Sequence, residues 1–336
     1  MKLEIDGEKR DVRALWYEAG KVMMIDQRCL PEKVAVLELT TVDQVADAIK
    51  NMTVRGAPAI GAAAAYGMLL AYKGGVDLVS AAKMLKGTRP TAHDLFFAVD
   101  HMMARIRSGE DPVEAAEEYC DSIIEKCRRI GVHGEPLIKD GAKIMTHCNA
   151  GALATIDHGT ALAPIREAHR KGKKVFVYVS ETRPRLQGMK LTAFELLNEG
   201  IPHAIISDGA SGHFMRKDVD IIIVGADRIA ANGDFANKIG TFEKAVLAKE
   251  LGIPFYTAAP ISTFDFSISS GKEIPIEDRA ESEVTEIGGV RVAPIGSPAL
   301  NPSFDMTPHR YLTGIITEMG VLSPQDVIKV KEEGMR

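Results

Sequence analysis

Between residues 143 and 257 the chain repeats one pattern, a short apolar run followed by a helical segment. The runs are Lys143 to Thr146, Lys174 to Val179, His203 to Ile206, Asp220 to Val224 and Pro254 to Thr257. Helices are expected between them, over Gly159 to His169, Gln187 to Asn198, Gly209 to Phe214 and Ile239 to Leu251. Strands separated by helices in this way build a parallel sheet with right-handed crossovers, covered on both faces. Open sheets of that kind take their ligands at the carboxyl ends of the strands. The pattern therefore says both what the second part of the chain folds into and where its chemistry belongs.

The first part has another texture. Lys2 to Ile5, Val12 to Leu15, Val22 to Asp26 and Val34 to Leu39 read as short strands, with Gly7 and Gly20 as turn signals. Helices follow over Val42 to Asn51, Ala57 to Tyr72, Leu78 to Lys86, Ala92 to Arg107 and Pro112 to Arg129. Thr40 or Thr41 is placed to cap the first of these, and Asp111-Pro112 opens the last. The two textures meet at Gly131-Val132-His133-Gly134. The expected fold is α/β. Residues 1–132 form a mainly helical N-terminal domain with a small antiparallel sheet, and residues 133–336 a Rossmann-like parallel-sheet domain. Ile261 to Pro308 is rich in Pro and Ser without a period, so it is expected to wrap a surface or cover a site.

Composition removes several classes. A net charge of −5 with scattered Lys and Arg leaves no field for nonspecific nucleic-acid binding. The cluster Arg170 to Lys174 reads as a helix end with cations at the negative end of its dipole. Four cysteines without a CxxC pair make neither a disulfide framework nor a metal site. The N-terminal segment lacks a signal-peptide apolar region, and the longest apolar run, Ala57 to Tyr72, is too short to span a bilayer. A soluble cytoplasmic protein without a membrane partner is expected. No GxGxxG, Walker loop or HExxH occurs. What remains is proton chemistry on an anionic small molecule, with no cofactor and no metal.

Candidate chemistry sits at strand and loop ends. After the run Asp220 to Val224 comes Gly225-Ala226-Asp227-Arg228, then the polar loop Asn232-Gly233-Asp234, and Asn237-Lys238-Ile239-Gly240-Thr241 is expected to open a helix. Dry surroundings would keep the Asp227 carboxyl protonated as a general acid, whereas Lys238 or Arg228 would pull the other way. Cys148 lies between the end of one strand and a helix start, where the helix dipole favours negative charge on sulfur. Arg55-Gly56-Ala57-Pro58 offers a cation and free helix amides, with Ala57 as the expected cap. Arg89 precedes a proline and is extended. Glu181 to Gly188 crowds two arginines and Gln187 at the top of the sheet, where anions are the natural partners. Taken singly, each also reads as an ordinary turn, an inert buried thiol or a structural ion pair.

Together the strings resemble one family. RGAPAIG at 55–61, TRPT at 88–91, THCNAGALAT at 146–155, ETRPRLQG at 181–188, GADRIAANGDFANKIGT at 225–241 and NPSFDMTPHRYLTGIITEMG at 301–320 are similar to methylthioribose-1-phosphate isomerases. Ribose-1,5-bisphosphate isomerases and the regulatory subunits of a translation initiation exchange factor share that superfamily. The resemblance implies conversion of 5-methylthioribose 1-phosphate to 5-methylthioribulose 1-phosphate in methionine salvage, by a homodimer that uses no metal or cofactor. It implies Cys148 and Asp227 as the catalytic pair, with Arg55, Gly56, Ala57, Arg89, Gln187, Asn237 and Lys238 binding substrate, mainly around its phosphate. Two residues depart from the family pattern, Phe235 where a smaller polar residue is expected and His93 where an apolar one is. They leave the sugar's 5-substituent open, so a 5-deoxyribose 1-phosphate is a further candidate. Two rival functions also stay open, isomerisation of ribose 1,5-bisphosphate and the role of a non-enzymatic initiation-factor subunit.

Overall fold

The computed structural model describes residues 1–5, 8–89 and 93–327; Pro90 and Thr91 of the TRPT string, and Ala92, lie outside them. The chain opens with a hairpin, β1 (Lys2–Ile5) and β2 (Glu8–Asp11). An antiparallel sheet follows, of β3 (Leu15–Glu18), β4 (Lys21–Ile25) and β5 (Val36–Leu39). The strand expected over Val12 to Leu15 is instead the connection between the two. Val12 pairs back to Met1 and Ala14 to Ile156, so its apolar residues serve the core without a ladder.

Five helices come next, α1 (Val42–Lys50), α2 (Ala57–Lys73), α3 (Leu78–Thr88), α4 (His93–Arg107) and α5 (Pro112–Gly134). Thr41 caps α1 in a capping box with Gln44, and Asp111 caps α5 ahead of Pro112. Helix α2 is buried from Ala57 to Ala71 and lies at the centre of this layer. Its run of alanines lets α1, α3, α4 and α5 approach closely. Residue 132, where the sequence texture changes, lies inside α5, and this helix packs both on α2 and on the first long helix beyond it. The helix ends where Glu135-Pro136-Leu137 tightens into a 3-10 turn.

Beyond it, β6 (Lys143–Thr146), α6 (Ala152–Thr155), α7 (Leu162–Arg170), β7 (Phe176–Ser180), α8 (Ala193–Glu199), β8 (His203–Ile206), α9 (Ser211–Lys217) and β9 (Ile221–Val224) alternate. A hairpin of β10 (Arg228–Ala230) and β11 (Phe235–Lys238) then leads into α10 (Thr241–Leu251) and β12 (Phe255–Ala258). The last described strands are β13 (Phe264–Asp265), β14 (Glu286–Ile287), β15 (Val290–Arg291), β16 (Phe304–Thr307), β17 (Gly314–Thr317) and β18 (Gly320–Leu322).

The main sheet has the order β18-β17-β12-β9-β6-β7-β8 and is parallel except at β17–β18. Its central strands are apolar because both faces are covered. Ile221 and Ile223 belong to one cluster with Ile165 of α7, whereas Ile222 and Val224 belong to another with Met215 of α9 and Ala245 of α10. Helix packing covers the sheet as the strand–helix alternation requires. Among the described residues no helix is long and apolar enough to cross a membrane.

Three features correct the sequence reading. Strands β17 and β18 extend the sheet, although Gly314 to Leu322 carries no helix–strand alternation to announce them. A second sheet, β13-β10-β11-β16, stands beside the first, so Asn237 and Lys238 lie on a strand and α10 begins only at Thr241. The helix expected from Gln187 opens as a π-helical turn over Gly188–Thr192 before becoming regular.

Candidate active site

The strand order reverses between β6 and β9. Chain connections run outward from β6 through β7 to β8 on one side, and from β9 through β12 to β17 on the other. The crevice at such a switch point is where an open α/β sheet has room for a ligand. Cys148 leaves the end of β6 and Asp227 the end of β9, and these strands are hydrogen-bonded neighbours. Both residues line one cleft there. Arg55, Gly56 and Ala57 reach it from the start of α2, Arg89 from the end of α3, Gln187 from the turn after β7, and Asn237 and Lys238 from β11.

The Cys148 backbone is left-handed, with φ 65. A non-glycine residue there carries strain of about 1–3 kcal/mol and persists only where its surroundings hold it. The Cys148 N–H donates to Thr182 Oγ1 at 2.8 Å, and its carbonyl accepts from Thr192 Oγ1 at 2.7 Å. Next along, the Asn149 side chain donates to Glu195 at 2.9 Å and to Thr192 at 3.2 Å. Glu195 also accepts from Ala152 N–H at 2.7 Å, at the start of the short α6.

Arg55 bridges the two halves of the molecule. Its guanidinium donates to the Asn149 carbonyl at 3.0 Å, to the Asn149 side chain and to Gln27 at 3.2 Å. Burial pushes the Arg55 titration down, while Cys148, Glu195 and Asp227 pull it back up. The cap of α2 is Gly56 rather than the expected Ala57. Gly56 has φ 99, and a Cβ on it would stand 2.5 Å from the Ala154 carbonyl oxygen. Gly56→Ala is therefore expected to destabilise the fold by about 1–3 kcal/mol through overpacking alone. A urea midpoint equal to the parent's would show that α2 and α6 have room to separate.

Asp227 faces the cleft with its carboxyl pushed above the usual carboxylate range by burial; Lys238, Arg89, Arg55 and Arg279 pull it down without winning. Among the opposing charges Lys238 leads, and Arg228 is not among the leading ones. Arg228 instead pairs with Asp265 at 3.5 Å. Lys238 is buried, donates to the Ser303 carbonyl at 2.8 Å and sits 4.1 Å from the Phe304 ring centroid. Its burial favours the neutral amine, and Cys148 and Asp227 favour the charged one. Asn237 is buried and donates to Thr241 Oγ1 at 3.0 Å. The Gln187 side-chain oxygen and Arg89 Nε are buried without a hydrogen-bond partner among the described residues.

The sequence reading missed Arg279. It comes from the Pro- and Ser-rich segment, which folds over the cleft and also contributes Ile274, Pro275 and Phe304 to its wall. Arg279 is 3.3 Å from Glu277, whose other oxygen lies 3.8 Å from Arg89. Nothing in the residues around Arg279 distinguishes it from a surface arginine. Arg183 and Arg185 go the other way. They do not line the cleft; Arg185 pairs with Glu283 at 2.7 Å and Arg183 donates to the Val284 carbonyl at 2.7 Å, so they strap the covering segment down. Phe235 is fully buried beside β10 and His93 bonds the Ser262 carbonyl at 3.1 Å; neither lines the cleft.

Arg55, Arg89, Arg228, Lys238 and Arg279 line the cleft against one lining carboxylate, Asp227, so an anion is favoured inside. Ala150, Ala226, Ile60, Met52 and the covering segment supply an apolar wall. A thiol and a carboxyl whose titration burial pushes up flank the space between.

Residues 53–324 match the Initiation factor 2 subunit family. The chain is 50% identical over 329 residues to the methylthioribose-1-phosphate isomerase of Aquifex aeolicus, covering 97% of this chain and 72% of that one. The solved 5-methylthioribose 1-phosphate isomerase of Pyrococcus horikoshii superposes with a TM-score of 0.89 at 43% identity, over 97% of both chains. A structure from A. fulgidus described as translation initiation factor eIF-2B, subunit delta, superposes with a TM-score of 0.85 at 40% identity, over 95% of this chain and 100% of that one.

Proposed function

We propose that this chain, which belongs to the Initiation factor 2 subunit family, is an aldose–ketose isomerase converting 5-methylthioribose 1-phosphate to 5-methylthioribulose 1-phosphate in methionine salvage. One observation carries the reading. A thiol and a carboxyl held toward its protonated form share a cation-lined cleft at the switch point, in a chain half identical to a protein named for that reaction. A regulatory subunit needs the cleft and the cations but has no use for the acid. We read the enzyme as a cytoplasmic homodimer, its helical N-terminal unit and Rossmann-like unit dividing near residue 132.

A sugar with phosphate on O1 has no free hemiacetal, so ring opening needs help. Asp227 donates a proton to the ring oxygen as the bond to C1 breaks. Hydrogen then moves from C2 to C1. In one route the Cys148 thiolate takes the C2 proton, leaving an enol phosphate; the thiol returns a proton to C1 as the O2 hydroxyl gives its proton to the Asp227 carboxylate and the C2 ketone forms. In the other the hydrogen crosses as hydride while Cys148 stabilises the charge. Arg55, Arg89 and Lys238 hold the phosphate, with Gln187, Asn237 and the Gly56–Ala57 amides around the sugar. Reaction in D2O separates the routes: deuterium from solvent at product C1 supports proton transfer, and none, with the C2 label retained, supports hydride transfer.

The surplus of cations is the one observation that favours a second phosphate, and hence ribose 1,5-bisphosphate. Purified protein without added partners should turn over 5-methylthioribose 1-phosphate with a higher kcat/KM than ribose 1,5-bisphosphate or 5-deoxyribose 1-phosphate. A reversed order reassigns the substrate, and no turnover of any of the three sinks the isomerase reading. Light scattering tests the dimer.

A further inference from the structure

We infer that Thr182 and Thr192 are positioning residues that hold the Cys148 backbone, and with it the sulfur, in the attitude the reaction uses; this rests on the isomerase reading. Both threonines are completely buried. Thr182 Oγ1 donates its hydrogen to the Ser180 carbonyl at 2.9 Å, so only its lone pairs are left for the Cys148 N–H. Thr192 Oγ1 donates to the Cys148 carbonyl and accepts from the Asn149 side chain, so its direction is fixed as well. The peptide groups on both sides of the cysteine side chain are thus bound by hydroxyls whose polarity has no freedom.

The two threonines are themselves held by unusual backbone. Thr182 has φ 67, and the Asp208 carboxylate accepts from the N–H groups of Thr182 at 2.9 Å and Arg183 at 2.7 Å, and from the Ser180 hydroxyl. Thr192 closes the π-helical turn after Gln187. The wide turn carries one residue more than a regular helix would, a device common at functional sites, and it faces Thr192 toward the Cys148 loop. Gly188 makes the turn possible, since a Cβ there would stand 1.8 Å from the Ser180 carbonyl oxygen. One loop, residues 180–192, therefore presents Gln187 to the cleft and a hydroxyl to each side of Cys148. A left-handed cysteine has no such grip of its own, and released it would relax toward the commoner backbone regions and swing its sulfur away.

The test is four variants, Thr182→Val, Thr192→Val and the two serine replacements, in the full-length protein. Valine keeps the branched shape and removes the hydroxyl; serine keeps the hydroxyl. Each valine variant is expected to lower kcat about 10²-fold, the scale of a small misplacement of a reacting group, with KM near the parent's. The serine variants should retain most of kcat. The rate of Cys148 alkylation by iodoacetamide, followed by peptide mass mapping, should change in the valine variants and not in the serine ones. Parental kcat and alkylation rate in both valine variants would overturn the inference. So would equal losses in valine and serine variants that track the thermal midpoint, which a merely structural role produces. If one valine variant does not fold, the other carries the comparison. Parent protein without turnover would instead sink the isomerase reading, and the alkylation rates would still decide the positioning.

Discussion

Asp227→Asn and Cys148→Ser should each lose most turnover, about 10²–10⁴-fold, the range a positioned acid or base contributes. Steady-state assays on 5-methylthioribose 1-phosphate measure it, and near-parental rates in either variant would remove that residue from the chemistry. Asn keeps the shape of Asp227 and cannot donate an acidic proton to the ring oxygen. Stability should move the other way. The folded protein holds the Asp227 carboxyl above its usual range because burial outweighs four cations. A carboxyl raised in the folded state contributes stability that is complete below the ordinary carboxylate range and is lost as pH rises through the folded value. As pH rises through that folded value the parent loses the contribution, whereas the Asn variant has no proton to lose. Its Tm should equal or exceed the parent's at neutral pH, and the gap should close on acidification. A lower Tm at neutral pH would mean that the cations require an ionised Asp227.

Lys238→Met should raise KM about 10- to 10²-fold, the equivalent of one hydrogen bond to a charged group at about 1.5–3 kcal/mol. The ammonium is buried between the Ser303 carbonyl and the Phe304 ring, so water has little access to replace it. It is also the strongest opponent of the burial of Asp227. Without it the carboxyl keeps its proton to higher pH. The alkaline limb of kcat/KM, which requires protonated Asp227, should therefore shift upward even as the maximum falls. An alkaline limb that stays in place would show that some group other than Asp227 is the acid.

Much of this site was legible along the chain. Cys148 and Asp227 could be placed at strand ends because an apolar run followed by a turn announces a buried parallel strand. Gly56 and Pro58 announced a helix start beside Arg55. Cys148, Asp227 and the seven residues expected around the phosphate all line the same cleft. The rest lay beyond local reading. Arg183 and Arg185 read as anion binders, but guanidinium density does not say whether the anion is a ligand or Glu283 of the same chain. Arg279 lacks any local signal, since its place depends on how an aperiodic segment folds back. Asn237 and Lys238 read as a helix start because the hairpin they belong to is short and pairs with β16, distant in sequence.

By itself the amino-acid sequence determined the strand–helix alternation, the alanine-rich central helix and the chemical identity of the groups at strand ends. These follow from local periodicity and capping, which act over a few residues. Tertiary structure alone decided that β6 and β9 are neighbours, and so that a thiol and a carboxyl far apart in the chain face the same space. It alone decided the proton balance of Asp227, because desolvation and the pull of Lys238, Arg89, Arg55 and Arg279 are sums over distance. Strand order and burial are properties of the packed whole, and no window of residues contains them.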